Sequence, residues 1–393
     1  MKIAGIICEY NPLHLGHAAQ MEKTRAALGA DCAIVCVMSG NFVQRGDFAV
    51  FNKHARAKAA VQCGADLVLE LPTPYALSSA EGFAAAGVYI LDRLGVCGYI
   101  AFGSESGDIG ALRDAAAAIV SGKAEMHTRE WLGKGLSYAA AQQKAADAVL
   151  GAGSEVFKRP NNLLGIEYLK ALAAYESPLK PITMKRSGGE HDGDTGLSAF
   201  ALRKGLMRGE EPWGMTPDAA AAVFREETAA GRGPVFMVRC EQAILSRLRA
   251  AKNFAELPGA TEGLGNRLMR FAGTEPAFGT ILEKAKTKRY TMSRLRRMLL
   301  SACLGITAAD AQEPPPYIRV LAMSHTGMSI LAEARKKARL PIITKPASAK
   351  SLSGRASDLF CKEASATDFY VLSYQAENDR CGGQEWRQTP WRE

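Results

Sequence analysis

The chain has 393 residues, 47% of them hydrophobic and 23% charged, with a formal net charge of +9. The length and the hydrophobic content indicate two or three globular domains with a sizeable core. The positive net charge indicates either an anionic partner or only general solubility. The nine cysteines include no C-x-x-C pair, which excludes a disulfide framework and an ordinary zinc site. No apolar stretch approaches the ~20 residues of a membrane-spanning helix, which excludes a membrane span. We expect a soluble cytoplasmic protein without a signal peptide.

The first hundred residues alternate between short apolar runs and helical patterns. The predicted strands lie at 2–8, 32–38, 67–71 and 97–102, and the predicted helices at 16–28, 53–63 and 79–94. This alternation is typical of βαβ units and a parallel sheet. Further helices are predicted at 109–121, 130–149, 163–174 and 198–208, with a strand at 181–186 and a loop at 187–196.

The pattern changes near residue 210. Residues 212–307 are predicted to be mostly helical, and the prolines at 314–316 indicate a stiff linker before a small α/β element at 317–344. The polar segment from 377 shows no periodicity, which predicts disorder. We therefore expect a domain at 1–210, a basic and mainly helical region with the small α/β element at 211–376, and a disordered tail at 377–393.

A turn with two histidines follows the first predicted strand. In a parallel α/β sheet ligands bind beyond the carboxyl ends of the strands, and a helix N-terminus suits phosphate. Gly16 lets a triphosphate approach the main chain, while His14 and His17 can stabilise charge that develops at an α-phosphorus. Either histidine could instead cap the helix, and a metal site lacks obvious partners apart from His54.

This turn resembles the (H/T)-x-G-H signature of the nucleotidylyltransferase superfamily. Longer stretches in the same order are similar to the tRNA(Met) cytidine acetate ligase family, from residue 1 to about 345. They are GIICEYNPLHLGH at 5–17, VMSGNFVQRGD at 37–47, ELP at 70–72, FGSESGD at 102–108 and PNNLLG at 160–165. The resemblance implies an α/β fold, with a Rossmann-like nucleotidyltransferase domain followed by a mainly helical C-terminal domain.

The activity implied by the resemblance has two steps. Acetate attacks the α-phosphate of ATP to give acetyl-adenylate and pyrophosphate, and N4 of the wobble cytidine C34 of elongator tRNA(Met) then takes the acetyl group. The products are N4-acetylcytidine and AMP. The sequence indicates no general base for the second step and no obligate protein partner. Mg²⁺ is expected to accompany ATP, with Asp47 and Glu9 as candidate ligands.

The resemblance also assigns site residues, with His14 and His17 as the catalytic pair. Gly103 would let a base or ribose pack on the main chain, one of two adjacent asparagines would read the nucleotide, and Arg186 would offer a planar fork to phosphate. The implied ATP-binding set is Ile7, Cys8, Glu9, Tyr10, Asn11, Pro12, Leu13, His14, Leu15, Gly16, His17, Ala18, Ala19, Gln20, Gly103, Asn161 or Asn162, and Arg186.

One stretch departs from the superfamily pattern. A Ser/Thr-rich helix start that ends in Ile-Arg usually holds the distal phosphates. Here Ser198 and Arg203 persist, but Phe200 and Ala201 replace the expected hydroxyl residues. This leaves Arg203 as the candidate for phosphate contact.

The densest basic segment lies at 284–297, where seven of fourteen residues are Lys or Arg. A helix capped by Ser293 is predicted to turn Arg294 and Arg297 outward, and Tyr290 could stack on a base. The candidate tRNA-binding residues are Lys286, Lys288, Arg289, Tyr290, Arg294 and Arg297. A solvated basic helix is the simpler explanation when the segment is considered alone.

Two other functions remain open from the sequence. A small-molecule adenylyltransferase or pantothenate-synthetase-like ligase would explain the histidine turn but not the basic segment. A non-catalytic ATP- and RNA-binding protein would explain the charge but not the paired histidines. Lys53 and Arg56, at the start of a predicted helix, are unfavourable to its dipole, which indicates either a nearby anion or a solvated helix face.

Overall fold

The computed structural model describes residues 1–122, 125–186, 198–261 and 263–393. The strands are β1 (Ile3–Cys8), β2 (Ala33–Ser39), β3 (Phe42–Val43), β4 (Asp47–Phe48), β5 (Leu67–Leu71), β6 (Tyr99–Ser104), β7 (Lys180–Lys185), β8 (Ile318–Met323), β9 (Ile342–Ile343) and β10 (Trp391–Arg392). The helices up to residue 210 are α1 (Leu15–Leu28), α2 (Lys53–Gln62), α3 (Thr73–Ala76), α4 (Ala80–Leu94), α5 (Ile109–Val120), α6 (Glu125–Gly133), α7 (Tyr138–Leu150), α8 (Pro160–Ala174) and α9 (Ala199–Met207). The later helices are α10 (Asp218–Ala229), α11 (Glu241–Ala250), α12 (Leu264–Thr274), α13 (Phe278–Ala285), α14 (Met292–Leu304), α15 (His325–Lys337), α16 (Pro346–Ala349) and α17 (Gly354–Val371).

The main sheet has the strand order β10-β8-β5-β2-β1-β6-β7. The strands from β5 to β7 are parallel, whereas β8 pairs antiparallel with β5. The chain builds outward from β1 through β2 to β5 and then crosses to β6 and β7 on the other side. The switch point of the sheet therefore lies between β1 and β6, where ligands of open α/β sheets bind.

Both faces of this sheet are covered. Every residue of β2 and β5 is buried, as expected for central parallel strands. Alternate residues of β2 face opposite ways. Val35 belongs to a buried cluster that includes residues of α4, α5 and α8, whereas Cys36 belongs to one that includes residues of α1, α2 and α10. The α/β fold with a parallel sheet and a mainly helical region after it is confirmed.

A second core lies in the helical region. Leu248 of α11, Leu268 of α12, Ile281 of α13 and Leu299 of α14 are buried together with Tyr370 of α17. Phe42 and Phe48, on a small hairpin formed by β3 and β4, pack into the same core. The hairpin thus joins the helical region to the loop that follows β2.

The segment after residue 317 differs from the prediction. Its strand β8 extends the main sheet by pairing with β5 instead of forming a separate element. The prediction of a disordered tail at 377–393 was wrong, because Trp391 pairs with Ala322 and the side chain of Glu385 is fully buried. One of its polar residues, Glu385, pairs with the buried cations Lys53 and Arg319.

Two other predictions had different outcomes. The single helix predicted at 130–149 is wrong, because the chain forms α6 and α7 with Ser137 capping the second helix. The loop predicted at 187–196 lies outside the described residues. Among the described helices, none is long and apolar enough to cross a bilayer.

A buried charge cluster joins the tail to the sheet. Lys53 Nζ donates to Glu70 Oε1 at 2.6 Å and to Glu385 Oε1 at 2.7 Å, and Arg319 also pairs with Glu385. Burial alone would raise the pKa of Glu385, but the charges of Lys53 and Arg319 hold it at about 2. The tail thus supplies a carboxylate that two buried cations require.

Glu385→Ala is expected to lower the free energy of unfolding by about 3–5 kcal/mol, because it leaves buried cations without one carboxylate. Urea unfolding at neutral pH measures this change. Glu377→Ala in the same tail is the matched control: Glu377 is exposed and pairs with the partly exposed Arg380, so a change below ~1 kcal/mol is expected. Equal effects of the two substitutions would contradict a special role for Glu385.

Candidate functional site

The candidate site lies at the switch point of the sheet. The turn at 9–17 follows β1, Gly103 lies near the end of β6, and Arg186 follows β7. The N-terminus of α8, with Asn161 and Asn162, lies beside the end of β6. The fold thus brings the predicted ATP-site residues to one edge of the sheet.

Main-chain hydrogen bonds fix the two histidine rings. His14 is the N-cap of α1, and its Nδ1 accepts from Gly16 N at 3.0 Å. His17 Nδ1 accepts from His14 N at 3.3 Å, and the ring centroids lie 3.8 Å apart. A neutral ring that accepts at Nδ1 carries its proton on Nε2. Both rings are therefore held in the tautomer that can donate from Nε2.

The side chain of Arg56 holds the turn in place through hydrogen bonds to main-chain carbonyls. Its fully buried guanidinium donates to Phe51 O at 2.9 Å and Ser39 O at 3.0 Å, and also to the carbonyls of Glu9 and Gly40. One side chain therefore joins the loops that follow β1 and β2. These carbonyls, and not a solvated helix face, account for the arginine at the start of α2, while Lys53 meets Glu70 and Glu385.

The turn itself is held at two further points. Asn11 Oδ1 accepts from Val50 N at 2.8 Å, and Asn11 O accepts from Arg203 Nη1 at 2.7 Å. Between Glu9 and Asn11, Tyr10 has a φ of 45°, in the left-handed region that residues other than glycine rarely occupy. Its buried ring lies 4.9 Å from the ring of His17.

Arg186 lies against Gly103. A Cβ atom on Gly103 would be 3.1 Å from Arg186 Cγ, so glycine allows the arginine side chain to cross the end of β6. Arg186 N also donates to Ser104 O at 2.9 Å. In this structure the neighbour of Gly103 is thus the side chain of Arg186.

The two asparagines differ in their surroundings. Glu105 caps α8 by accepting from Asn162 N at 2.8 Å and from Asn161 N at 3.2 Å, and it also accepts from Asn161 Nδ2 at 2.6 Å. Asn162 is buried, and its Oδ1 accepts from Glu105 N and Ser106 N. Asn162 therefore holds the loop after β6, while the half-buried Asn161 is closer to solvent.

The stretch that departs from the superfamily pattern forms the start of α9. Ser198 caps this helix by accepting from Ala201 N at 3.2 Å. Arg203, one turn later, reaches the turn through Asn11 O. Phe200 is 37% exposed. The helix cap and the arginine are therefore retained although the expected hydroxyl residues are absent.

The basic segment is only partly a surface. Lys286, Lys288 and Arg289 are exposed. Thr291, not Ser293, caps α14, and Arg294 donates to Gly259 O at 2.7 Å and to Thr261 Oγ1 at 2.8 Å.

Two residues of this segment point inward. The prediction that Tyr290 offers a stacking surface was wrong, because its ring is 7% exposed and packs in the helical core. The predicted outward orientation of Arg297 was also wrong, since its half-buried guanidinium donates to Gln44 O at 3.1 Å. Burial lowers the pKa of Arg297 to about 10, with a further contribution from Arg294.

Sequence reasoning missed the supporting residues of the site. The sequence shows Arg56 as a cation at the start of a helix, where it is unfavourable to the helix dipole. That unfavourable position is the signal that could have identified it. Glu105 gives a weaker signal, an acidic residue three positions after a predicted strand. Gln44 gave none, because both of its contacts are made by main-chain atoms.

Arg56→Lys is expected to lower the free energy of unfolding by about 2–4 kcal/mol, because one ammonium group cannot reach carbonyls on both loops and buried acceptors lose their partners. Chemical denaturation measures the change. Arg113→Lys, at an exposed position of α5, serves as the control and should stay within about 0.5 kcal/mol of wild type. Similar losses in both variants would refute the bracing role.

Comparison with known proteins gives a consistent result over the whole chain. A family model described as HIGH Nucleotidyl Transferase matches residues 1–385. The tRNA(Met) cytidine acetate ligase of Acetivibrio thermocellus is 37% identical, with 99% of each chain covered. The protein of the same name from Caldanaerobacter subterraneus subsp. tengcongensis is 38% identical, with 95% of this chain and 96% of the relative covered.

Solved structures are similar over the same length. The crystal structure of Thermotoga maritima TmcAL in its apo form has a TM-score of 0.92 at 31% identity, covering 100% of this chain and 99% of that one. The structure of Thermotoga maritima TmcAL bound with alpha-thio ATP has a TM-score of 0.91 at 31% identity, with both chains covered completely.

Proposed function

The chain belongs to the tRNA(Met) cytidine acetate ligase family, and we propose that it acetylates N4 of the wobble cytidine C34 of elongator tRNA(Met). Acetate and ATP first give acetyl-adenylate and pyrophosphate, and tRNA then takes the acetyl group and releases AMP. The observation that carries this proposal is the pair of fixed histidine rings at the start of α1, on the switch point of the sheet. We place the reaction in the cytoplasm, where its substrates occur.

The first step needs charge stabilisation more than proton transfer. An acetate oxygen forms a bond to the α-phosphorus, and the bond from that phosphorus to the oxygen of the departing pyrophosphate breaks. Negative charge develops on the α-phosphate oxygens, and donors already fixed in position lower this barrier. His14 and His17 supply Nε2–H groups, and the N-terminus of α1 adds its dipole. His14 and His17 are therefore proposed as the catalytic residues.

At the other end of the nucleotide, Asn161 is the better candidate for ATP contact. Asn162 is buried and occupied with the loop after β6, whereas the half-buried Asn161 stands at the N-terminus of α8. Arg186, which crosses Gly103, is proposed to bind phosphate or ribose oxygens. The other residues proposed for the ATP site, at 7–20, form the end of β1, the turn and the first part of α1.

Arg203 is the candidate for the departing pyrophosphate, because it lies beside the turn at Asn11. Outside the gaps at 123–124, 187–197 and 262, no group of three or more His, Cys, Asp or Glu could hold a metal. Glu9 accepts from Gln44 N and Asp47 from Phe48 N, so neither forms part of a ready metal site. We therefore propose that Mg²⁺ arrives with the ATP phosphates, and we assign no step to it.

The tRNA surface is proposed to centre on Lys286, Lys288 and Arg289, with Arg294 at its edge. Lys288 and Arg289 are exposed in the loop between α13 and α14, and cations in this position can neutralise phosphates. Tyr290 and Arg297 are not part of this surface, because both are turned toward the protein interior.

His14→Ala and His17→Ala are each expected to reduce acetate-dependent ATP–pyrophosphate exchange by about 100-fold or more, because each removes one fixed donor to the α-phosphate. A second assay, with ATP, labelled acetate and tRNA(Met) followed by nucleoside mass spectrometry, detects N4-acetylcytidine. His325→Ala is the control, since His325 is 77% exposed. If the wild type shows exchange but no acetylated tRNA, a small-molecule ligase is favoured. If the wild type shows neither exchange nor acetylated tRNA, the proposed function is rejected.

Asn161→Ala is expected to raise the KM for ATP by about tenfold with little change in stability, since it removes one nucleotide contact. Asn162→Ala is expected to destabilise the fold by about 1–3 kcal/mol, because it leaves two main-chain N–H groups near β6 unpaired. Thermal unfolding and exchange kinetics separate the two effects. The opposite distribution would make Asn162 the ATP ligand.

A further inference from the structure

The β3–β4 hairpin lies between the histidine turn and α14. Its strands pair Phe42 with Phe48 and Val43 with Asp47, so residues 44–46 form the tip. Both ends of the hairpin are anchored by the buried rings of Phe42 and Phe48. The tip therefore has a fixed position relative to the second core.

One connection runs through the tip. Arg297 Nη1 of α14 donates to Gln44 O at 3.1 Å, and Gln44 N donates to Glu9 Oε1 at 2.7 Å. The main chain of a single residue thus joins α14 to the first residue of the histidine turn. The Arg297 guanidinium is half-buried, and hydrogen bonds between partly buried groups are stronger than exposed ones.

A second bond holds the turn after Tyr10. Arg203 Nη1 of α9 donates to Asn11 O at 2.7 Å. The turn is therefore held at Glu9 by the hairpin and α14, and at Asn11 by α9.

These two bonds meet the turn on either side of Tyr10. A non-glycine residue at a φ of 45° persists only where its surroundings determine the conformation. Glu9 and Asn11, the chain neighbours of Tyr10, are both held by these bonds. The ring of Tyr10 contacts His17, so the conformation bears on the catalytic pair.

The hairpin also approaches the main chain of α14 closely. Gly46 has a φ of 74°, and a Cβ atom there would lie 2.6 Å from Arg297 N and 2.6 Å from Arg296 Cβ. A side chain at this position would push the tip away from the helix. Contact between hairpin and helix thus depends on Gly46 from one side and on Arg297 from the other.

We propose that Arg297 is a positioning residue for adenylate formation, which acts through Gln44 on Glu9 and hence on the turn that carries His14 and His17. This inference rests on the proposed function. On this proposal α14 and the loop before it have two roles. The exposed residues before the helix bind the tRNA, and the half-buried Arg297 fixes the position of the turn in the ATP site. A 1 Å displacement of reacting groups can reduce a rate about 100-fold. Loss of the bond between Arg297 and Gln44 can therefore lower the rate of adenylate formation although Arg297 does not touch the histidines.

The test compares variants in acetate-dependent ATP–pyrophosphate exchange without tRNA, and in tRNA(Met) binding by filter retention. Arg297→Ala is expected to reduce kcat for exchange by roughly 10- to 100-fold, with the dissociation constant for tRNA within about two-fold of wild type. Arg297→Lys, which keeps one donor, should recover most of the rate. Gly46→Ala should show the same kinetic loss as Arg297→Ala. Arg270→Ala, an exposed arginine of α12, is the matched control and should change neither signal.

The outcomes separate the alternatives. Unchanged exchange with weaker tRNA binding would overturn the inference and return Arg297 to the tRNA surface. A kinetic loss that lysine does not recover, together with a lower midpoint of thermal unfolding, would mean a merely structural role and would also overturn it. Absence of exchange in the wild type would reject the proposed function, and the inference with it. Exchange in the wild type that both Arg297→Ala and Gly46→Ala retain would reject the inference alone.

Discussion

The buried guanidinium of Arg56 is the constraint on which the site depends. A desolvated cation costs several kcal/mol unless its N–H groups are paired, and here main-chain carbonyls of two loops provide the pairing. The loops after β1 and β2 cannot move apart without leaving that charge unpaired. The histidine turn and the hairpin therefore keep a fixed separation, which allows hydrogen bonds from Gln44 N and from the Arg203 guanidinium to reach the turn.

A second group of buried charges lies beside β5 and β8. Lys53 and Arg319 are buried among strands and need carboxylates, one from β5 and one from the segment at 377–393. The first turn of α2 carries both Lys53 and Arg56, so this helix connects the charge cluster to the loops of the site. The histidine turn is thus connected through α2 to the segment at 377–393.

The parts of this structure that the sequence predicted are local ones. Strands such as β2 and β5 are continuous apolar runs, and the histidine turn is a contiguous motif at the start of a helix. The parts that could not be predicted depend on distant partners: Glu385 meets Lys53 across 332 residues, and Arg297 meets Gln44 across 253. Tyr290 and Arg297 looked exposed because their neighbours are basic, yet the packing of α14 turns them inward. The roles proposed for His14, His17, Asn161 and Arg186 remain predictions.

The separation between Lys53 and Glu385 has a consequence during synthesis on the ribosome. At about 5–20 residues per second, the carboxylate is translated roughly 17–66 s after the lysine that it neutralises. Before residue 385 is made, Lys53 already has the carboxylate of Glu70 as a partner, but Arg319 lacks the carboxylate of Glu385. The cluster therefore reaches its final stability only after residue 385 is in place. A product that stops before codon 385 is expected to open more readily and to be cut faster by proteases.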